Sequence, residues 1–222
     1  MTKTNENGRS MVEMLGVLAI IGVLSAGGLA GYSKAMYKYR VNETMNQLTM
    51  IVSNIRTLFG SQNTYAGLDT TTAYTYGIVT ADMMSGSHNS QLKNPFKGKI
   101  NIGTSAGREA SVDTGSNEAF YIEYEHLPAE ACVTIVTSDW GSAAGSGLIG
   151  IAANGTGGTG AYESGTTNGG NGTTTFGEGP LNGRLIKNSN SAPFTIMQAV
   201  TACGSGNTTD TSQNASIALK YY

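Results

Sequence analysis

The chain has 222 residues, a net charge of −2 and 31 glycines. Its nearly neutral charge argues against a protein that binds nucleic acid through bulk positive charge. The C-terminal half is rich in Gly, Thr, Ser and Asn, but short runs of Ile, Val, Phe and Tyr exclude a wholly disordered chain. The length suits one long N-terminal helix of about 50 residues and one globular domain of about 160.

The N-terminal segment places a single glutamate at the edge of an apolar run. Glu13 lies five residues after Gly8, and only Ser25 interrupts the apolar stretch from Met14 to Tyr32. An unpaired carboxylate at the edge of hydrocarbon costs a few kcal/mol, so we expect Glu13 to have a partner. The stretch of about 19 residues is just long enough to span a bilayer core.

A secretory signal peptide is the alternative interpretation of this segment. Such signals are cut after their apolar core, and Ser25-Ala26-Gly27 resembles a cleavage site of that kind. A cut after Gly8 would lie before the apolar core instead. That core would then remain in the mature protein.

Beyond Tyr32 the helix is predicted to continue with one apolar face. Apolar residues recur at alternating spacings of four and three, as expected of a helix with one buried side: Val41, Met45, Leu48, Val52, Ile55 and Phe59. Gly60 is a typical C-terminal stop. We therefore expect one helix over 9–60, membrane-embedded over 9–32 and amphipathic over 33–60. A coiled-coil dimer could use the same stripe, but the strand-rich domain that follows needs a helix to cover it.

Residues 61–222 are predicted to form the globular domain. Alternating or apolar runs predict strands at 99–102, 119–124, 148–152, 184–187 and 215–221. Short helices are predicted within 71–84, from Pro128 at the first helical position through Val136, and over 193–202. The sequence Asn94-Pro95-Phe96-Lys97-Gly98 is typical of a turn. The stretch 141–183 holds about half of the glycines, which predicts exposed loops.

Cys132 and Cys203 are the two cysteines of the chain. In a domain outside the membrane such a pair favours a disulfide. The bond would close a loop of about 70 residues and stabilise the fold by about 4 kcal/mol in the loop-entropy model. Two buried free thiols are the alternative. His88 and His126 are the only histidines that could complete a zinc site with the two cysteines, and this makes a poor set of ligands. We therefore expect no metal site and expect both histidines at the surface.

No arrangement of residues in the sequence predicts catalysis. The glycines within 145–150 spell a dinucleotide fingerprint, but a strand-like run follows where the fingerprint requires a helix. The acidic residues form no recognisable acid–base pair. Asn154 and Asn171 begin glycosylation triplets, which are common in loops rich in Asn and Thr. We therefore expect no enzyme activity and no cofactor.

The sequence GRSMVEMLG, from Gly8 to Gly16, resembles the processing site of the type IV pilin family. The resemblance implies that a prepilin peptidase cuts after Gly8 and removes a leader of residues 1–8. It implies methylation of the new N-terminal residue, Arg9. It also implies that Glu13 becomes the fifth residue of the mature chain and neutralises the N-terminal amine of a neighbouring subunit during assembly.

Later residues resemble the type IVb branch, which comprises the toxin-coregulated, bundle-forming and conjugative thin-pilus pilins. Ala30 stands where type IVa helices carry a proline, and residues 93–98 resemble the NPF-x-G turn of that branch. Cys203 corresponds to the second family cysteine, which closes a variable region over 132–203. The resemblance implies an α+β pilin fold, in which the long helix packs on an antiparallel sheet.

The function implied by this resemblance is that of a structural subunit, a major pilin. Such a subunit polymerises with copies of itself into an extracellular fibre for adhesion, aggregation or conjugation. The implied partners are the prepilin peptidase and methylase, the inner-membrane pilus assembly machinery, and the membrane. The chain would cross the inner membrane once, with its N-terminus in the cytoplasm, and then enter a cell-surface pilus.

Two other functions remain open at this point. A minor pilin or a type II secretion pseudopilin would carry the same anchor. A non-polymerising, membrane-tethered periplasmic binding domain is the third possibility, and Gly8 and Glu13 argue against it.

Overall fold

The chain divides into two compact units, Met1–Arg40 and Val41–Tyr222, which are described separately. The computed structural model describes residues 11–85, 91–105, 117–140, 146–155, 185–188 (backbone only), 195–204 and 215–222. The elements in chain order are α1 (Met11–Phe59), α2 (Thr70–Thr75), a 3₁₀-helix (Ala81–Met83), β1 (Leu92–Lys93), β2 (Lys99–Ser105), β3 (Ala119–Leu127), α3 (Ala129–Thr137), β4 (Leu148–Asn154), β5 (Leu185–Asn188), α4 (Ile196–Cys203) and β6 (Ala215–Tyr221).

The part of α1 that belongs to the second unit buries a broad face. Its buried side chains are Val41, Thr44, Gln47, Leu48, Ile51, Val52, Ile55 and Phe59. The predicted apolar stripe is therefore confirmed except at Met45, which is only half-buried. The buried face is wider than predicted, because Ile51 and two polar residues also turn inward. A wide face is typical of a helix on a globular core, whereas a coiled-coil seam is narrower.

Six strands form one antiparallel sheet in the order β1-β2-β3-β6-β4-β5. The C-terminal strand β6 lies between β3 and β4, so the last residues of the chain complete the sheet. The five predicted strands are confirmed. The two-residue strand β1 was not predicted, because two residues carry no readable alternation.

One face of the sheet carries large apolar side chains. Residues of β3 and β6 stand directly opposite one another as Phe120 with Tyr221, Ile122 with Leu219, and Tyr124 with Ile217. All six are buried. The prediction of an alternating last strand is incomplete, because Ser216 and Lys220 on the other face of β6 are buried as well.

The short helices differ from the predicted ones at their ends. Pro128 occupies the N-cap of α3 instead of its first helical position. The α4 helix starts at Ile196, and the side chains of Thr195 and Gln198 form a capping box there. The predicted helix within 71–84 is two short elements, α2 and the 3₁₀-helix. Asp69 caps α2. Its carboxylate accepts a hydrogen bond from the backbone N–H of Thr72 at 2.6 Å, and this bond lowers the pKa of the Asp69 carboxyl.

Candidate assembly site

The described part of the first unit is a helix whose apolar residues from 11 to 35 are not covered. All residues from 11 to 35 are exposed in the single chain. An 18-residue window of this helix has a mean hydropathy of 2.1, so the helix is long and apolar enough, by length and composition, to cross a membrane. An exposed apolar surface of this extent is typical of a segment that meets a membrane or another protein.

Glu13 lies in the first turn of α1 and is exposed. The N-terminal end of a helix carries partial positive charge, which favours a carboxylate in that turn. None of the residues that the structure describes buries this group. Gly8 and Arg9 lie outside the described residues, so cleavage after Gly8 and methylation of Arg9 stay predictions.

Five glycines line the apolar part of α1: Gly16, Gly22, Gly27, Gly28 and Gly31. A Cβ atom added at any of them would meet no other atom within 4 Å outside the local helix backbone. Each glycine lowers helix propensity by about 1 kcal/mol relative to alanine. The described part of the chain gives no steric reason for this cost. Close approach between helices would give one.

The predicted disulfide between Cys132 and Cys203 is present, with the two Cα atoms 5.7 Å apart. Both cysteines are buried, and the bond joins α3 to α4. The alternative of two free thiols is therefore wrong. Gly155, which follows β4, packs against this junction so closely that a Cβ atom there would lie 2.7 Å from the carbonyl carbon of Cys203.

The NPF-x-G segment forms a turn that is attached to β3. The side-chain oxygen of Asn94 accepts hydrogen bonds from the backbone N–H groups of Phe96 (2.9 Å) and Gly98 (3.0 Å). Its amide nitrogen donates to the carbonyl oxygen of Glu125 at 2.8 Å. Lys97 adopts a φ of 70°, and a Cβ atom on Gly98 would overlap the Glu125 carbonyl oxygen. The sequence therefore fits one backbone path against the adjoining strand.

The structure also contains polar contacts that sequence reasoning missed. The amide nitrogen of Asn101 on β2 donates to Glu123 (3.0 Å) and to Glu125 (2.6 Å), two residues apart on β3. Glu123 is buried. The available signal was the occurrence of two glutamates at strand spacing in a run otherwise read for its apolar face.

Several other expectations on single residues have an outcome. Gly147 has a φ of 70° and leads into strand β4, so the fingerprint lacks the helix that it requires. Asn154 is the last residue of β4 and is 8% exposed, so the asparagine of that glycosylation triplet is buried. His126 is exposed, as predicted. His88 and Asn171 lie outside the described residues, and the described segments hold no group of three or more His, Cys, Asp or Glu residues that suits a metal.

Comparison with known proteins gives consistent matches along the chain. The profile of the Bundlin family matches residues 34–222. The chain is 27% identical over 144 residues to the major structural subunit of bundle-forming pilus from Escherichia coli O127:H6 (strain E2348/69 / EPEC), covering 65% of this chain and 70% of that protein. It is 33% identical over 140 residues to the toxin coregulated pilin of Vibrio cholerae, covering 61% of this chain and 59% of that one.

A solved structure has a similar fold. The crystal structure of TcpA, a type IV pilin from the Vibrio cholerae El Tor biotype, superposes with a TM-score of 0.50 at 17% sequence identity. The match covers 83% of this chain and 99% of that one. At this identity the likeness concerns the fold alone.

Proposed function

Since the chain belongs to the bundlin family, and thus to the type IVb pilins, we propose that it is the major subunit of a surface pilus. Membership makes the chain a structural subunit that polymerises with copies of itself. The finer assignment to the major subunit is supported by the names of its relatives, a major pilus subunit and a toxin coregulated pilin. The observation that carries the proposal is the apolar helical segment 11–35, in which every residue is exposed. The proposed role is structural and not catalytic.

Immunogold electron microscopy with antibodies against this chain tests the assignment. A major subunit is labelled along the whole length of each filament, and a strain that lacks the chain has no filaments. A minor pilin would give sparse or terminal label, and a pseudopilin would give none on surface filaments. Either result would replace the major subunit by the runner-up function.

The processing step belongs to the same proposal. A prepilin peptidase removes residues 1–8, so that Arg9 becomes the N-terminal residue and is methylated. The sequence around Gly8 supports this step, because the cut precedes the apolar run and leaves it in the mature chain. Substitution Gly8→Glu puts a bulky charge where the backbone must approach the peptidase closely. We expect the full chain to accumulate in the membrane with its N-terminal residues intact, and cleavage of this variant near Gly27 would indicate a secretory signal instead.

Before assembly the mature chain lies in the inner membrane, in this proposal, with its N-terminus in the cytoplasm and residues 61–222 outside. The membrane holds the exposed apolar side chains of α1 until the inner-membrane assembly machinery transfers the subunit to the fibre. Protease added to spheroplasts should digest the domain and spare the N-terminal segment. Digestion of the N-terminus instead would reverse the topology.

Glu13 is proposed to direct the transfer from membrane to fibre. In a dry bundle of helices the new amine at Arg9 is cationic, and an unpaired ion there costs several kcal/mol. Glu13 of the adjacent subunit supplies the opposite charge and thereby sets the axial register of the two helices. The carboxylate takes no part in the core of the second unit, which begins at Val41.

The Glu13→Ala variant should therefore fold, form its disulfide and be processed, but give few or no filaments. Glu13→Asp keeps the charge and should retain part of the yield. Glu130→Ala is a matched control, because it removes an exposed carboxylate on α3. Wild-type filament yield from Glu13→Ala would refute the register role and favour the non-polymerising tether.

A further inference from the structure

A short group of cations and tyrosines follows the apolar part of α1. Lys34, Lys38 and Arg40 lie within two turns of the helix, and Tyr32 and Tyr39 flank the two lysines along the chain. All five side chains are exposed, and the exposed fraction is 63% for Tyr32 and 60% for Tyr39. The sequence has no acidic residue from 14 to 42, so this part of α1 concentrates positive charge. We call these five residues the basic belt.

The two lysines of the basic belt repel each other. Lys34 and Lys38 are four residues apart on α1, so they lie on the same side of the helix, and two like charges at this spacing destabilise a helix. Glu13 is the one acidic residue in the described part of the first unit, and it lies about 30 Å along the helix axis from Lys34. That separation is several Debye lengths. Glu13 therefore does not offset the repulsion, whereas an anion from outside the chain would.

The basic belt begins where the apolar run of α1 ends, at Tyr32. Tyrosine is enriched at membrane–water interfaces, because its ring is apolar and its hydroxyl is polar. From Tyr32 to Lys38 the helix rises about 9 Å, which is close to the depth of one headgroup layer, about 5–8 Å. Long lysine side chains can also reach along the helix to keep their ammonium groups in that layer. The belt thus has the length and the residue types of a helix segment that passes through lipid headgroups.

We propose that the basic belt binds the headgroups of anionic phospholipids, such as phosphatidylglycerol, while the subunit is in the membrane. This inference rests on the proposed function, which places α1 in the inner membrane before assembly. In that topology the belt lies outside the cytoplasm, although cations are usually enriched on the cytoplasmic side. An anionic headgroup supplies the negative charge that residues 14–42 lack, at the depth where the lysines lie. The contact fixes the depth of α1 in the bilayer until the subunit leaves it.

Electron spin resonance of spin-labelled lipids tests this contact in phosphatidylcholine vesicles that contain the unassembled full chain. Lipids that touch the protein move slowly, so the slow fractions of labelled phosphatidylglycerol and labelled phosphatidylcholine give their relative affinities. We expect wild type to prefer phosphatidylglycerol about fivefold or more, and NaCl to reduce this preference by screening. Both leaflets have the same composition, so the result depends neither on the topology of the chain nor on the formation of a pilus.

Variants of the basic belt make the test specific. Lys34→Gln/Lys38→Gln should lower the preference for phosphatidylglycerol about fivefold, since one cation near an anionic headgroup contributes about 1 kcal/mol. Lys93→Gln/Lys99→Gln is the matched control, because it removes two exposed lysines that stand opposite each other on β1 and β2, and it should keep the wild-type preference.

Two results would overturn the lipid contact. In one, wild type does not distinguish the two lipids, as expected if acidic side chains of a second copy pair with the belt. In the other, Lys34→Gln/Lys38→Gln keeps the wild-type preference, which would then come from cations that this variant retains, such as Lys3 and Arg9. A chain that shows the expected lipid preference but forms no filaments would contradict the proposed function and leave the lipid contact standing.

Discussion

The guanidinium carbon of Arg56 lies 5.0 Å from the centroid of the Tyr221 ring, which is close enough for a cation–π contact. Nη2 of the same guanidinium donates to the carbonyl oxygen of Tyr222 at 3.4 Å. The Tyr221 ring in turn stacks on Phe120 at a centroid distance of 5.7 Å. Arg56 thus connects α1 to β6, the last strand of the chain, which lies between β3 and β4 in the sheet.

Replacing Arg56 by alanine should lower the free energy of unfolding of the second unit by about 1 kcal/mol, through loss of the contact with the ring and of packing by the side-chain stem. Arg56→Lys should lose less than alanine but remain below wild type, since an ammonium keeps the charge without the planar stacking. Urea unfolding in micelles, followed by fluorescence of the single tryptophan, Trp140, measures both. The control Lys38→Ala changes an exposed cation of the first unit. Equal stability of Arg56→Ala and wild type would show that the contact contributes nothing.

Tyr221 should make the second unit sensitive to alkali. Burial raises the pKa of its hydroxyl from 10.0 to about 12, although the charge of Arg56 opposes the shift. Because the folded pKa lies above the unfolded one, the stabilisation is complete below about pH 10 and is lost as the pH rises towards 12. The rise of the Tyr221 pKa from 10.0 to about 12 corresponds to about 2–3 kcal/mol of unfolding free energy.

The variant Tyr221→Phe cannot ionise and should lose less stability than wild type between pH 10 and 12. Unfolding free energies of both proteins at pH 7 provide the baseline for the comparison. Parallel pH profiles for the two proteins would contradict the assignment.

The turn at Asn94 should be intolerant of a methyl group at Gly98. In Gly98→Ala the new Cβ atom would overlap the Glu125 carbonyl oxygen, so the turn must move away from β3. We expect a loss of about 1–3 kcal/mol, as is usual for overpacking. Lys93→Ala, at an exposed position just before the turn, is the control. If Gly98→Ala and wild type had the same free energy of unfolding, the turn could be displaced at no cost.

Loss of the disulfide should destabilise the second unit by up to about 4 kcal/mol. The variants Cys132→Ser and Cys203→Ser remove the same cross-link, so the double variant should be no less stable than the weaker single one. Limited proteolysis should show early cuts near α4 in all three. If the double variant lost the sum of the stabilities lost by the two single variants, the loss would come from the buried side chains and not from the cross-link.

The long elements of this fold could be predicted because their apolar residues recur over enough positions to show the period of a helix or a strand. Residues 41–59 repeat an apolar side through several turns, and β3 alternates over enough residues to show one apolar face. Gln47 and Lys220 were not predicted to be buried, because whether a polar side chain turns inward depends on neighbours that lie far away in the chain. The register of β6 between β3 and β4 is likewise a property of the assembled sheet.

The assembly site was predicted in a different way. Gly8 and Glu13 were identified through resemblance to a family, and physical reasoning added only that a carboxylate beside an apolar run needs a partner. The disulfide could be predicted from two cysteines in a domain that was expected to lie outside the membrane.

Intact-mass spectrometry of the main protein in sheared surface filaments tests the central claim most directly. We predict one species that begins at Arg9, carries one methyl group and has Cys132 and Cys203 oxidised to a disulfide. Absence of this chain from the filaments, or a filament protein that begins near Gly27, would contradict the account.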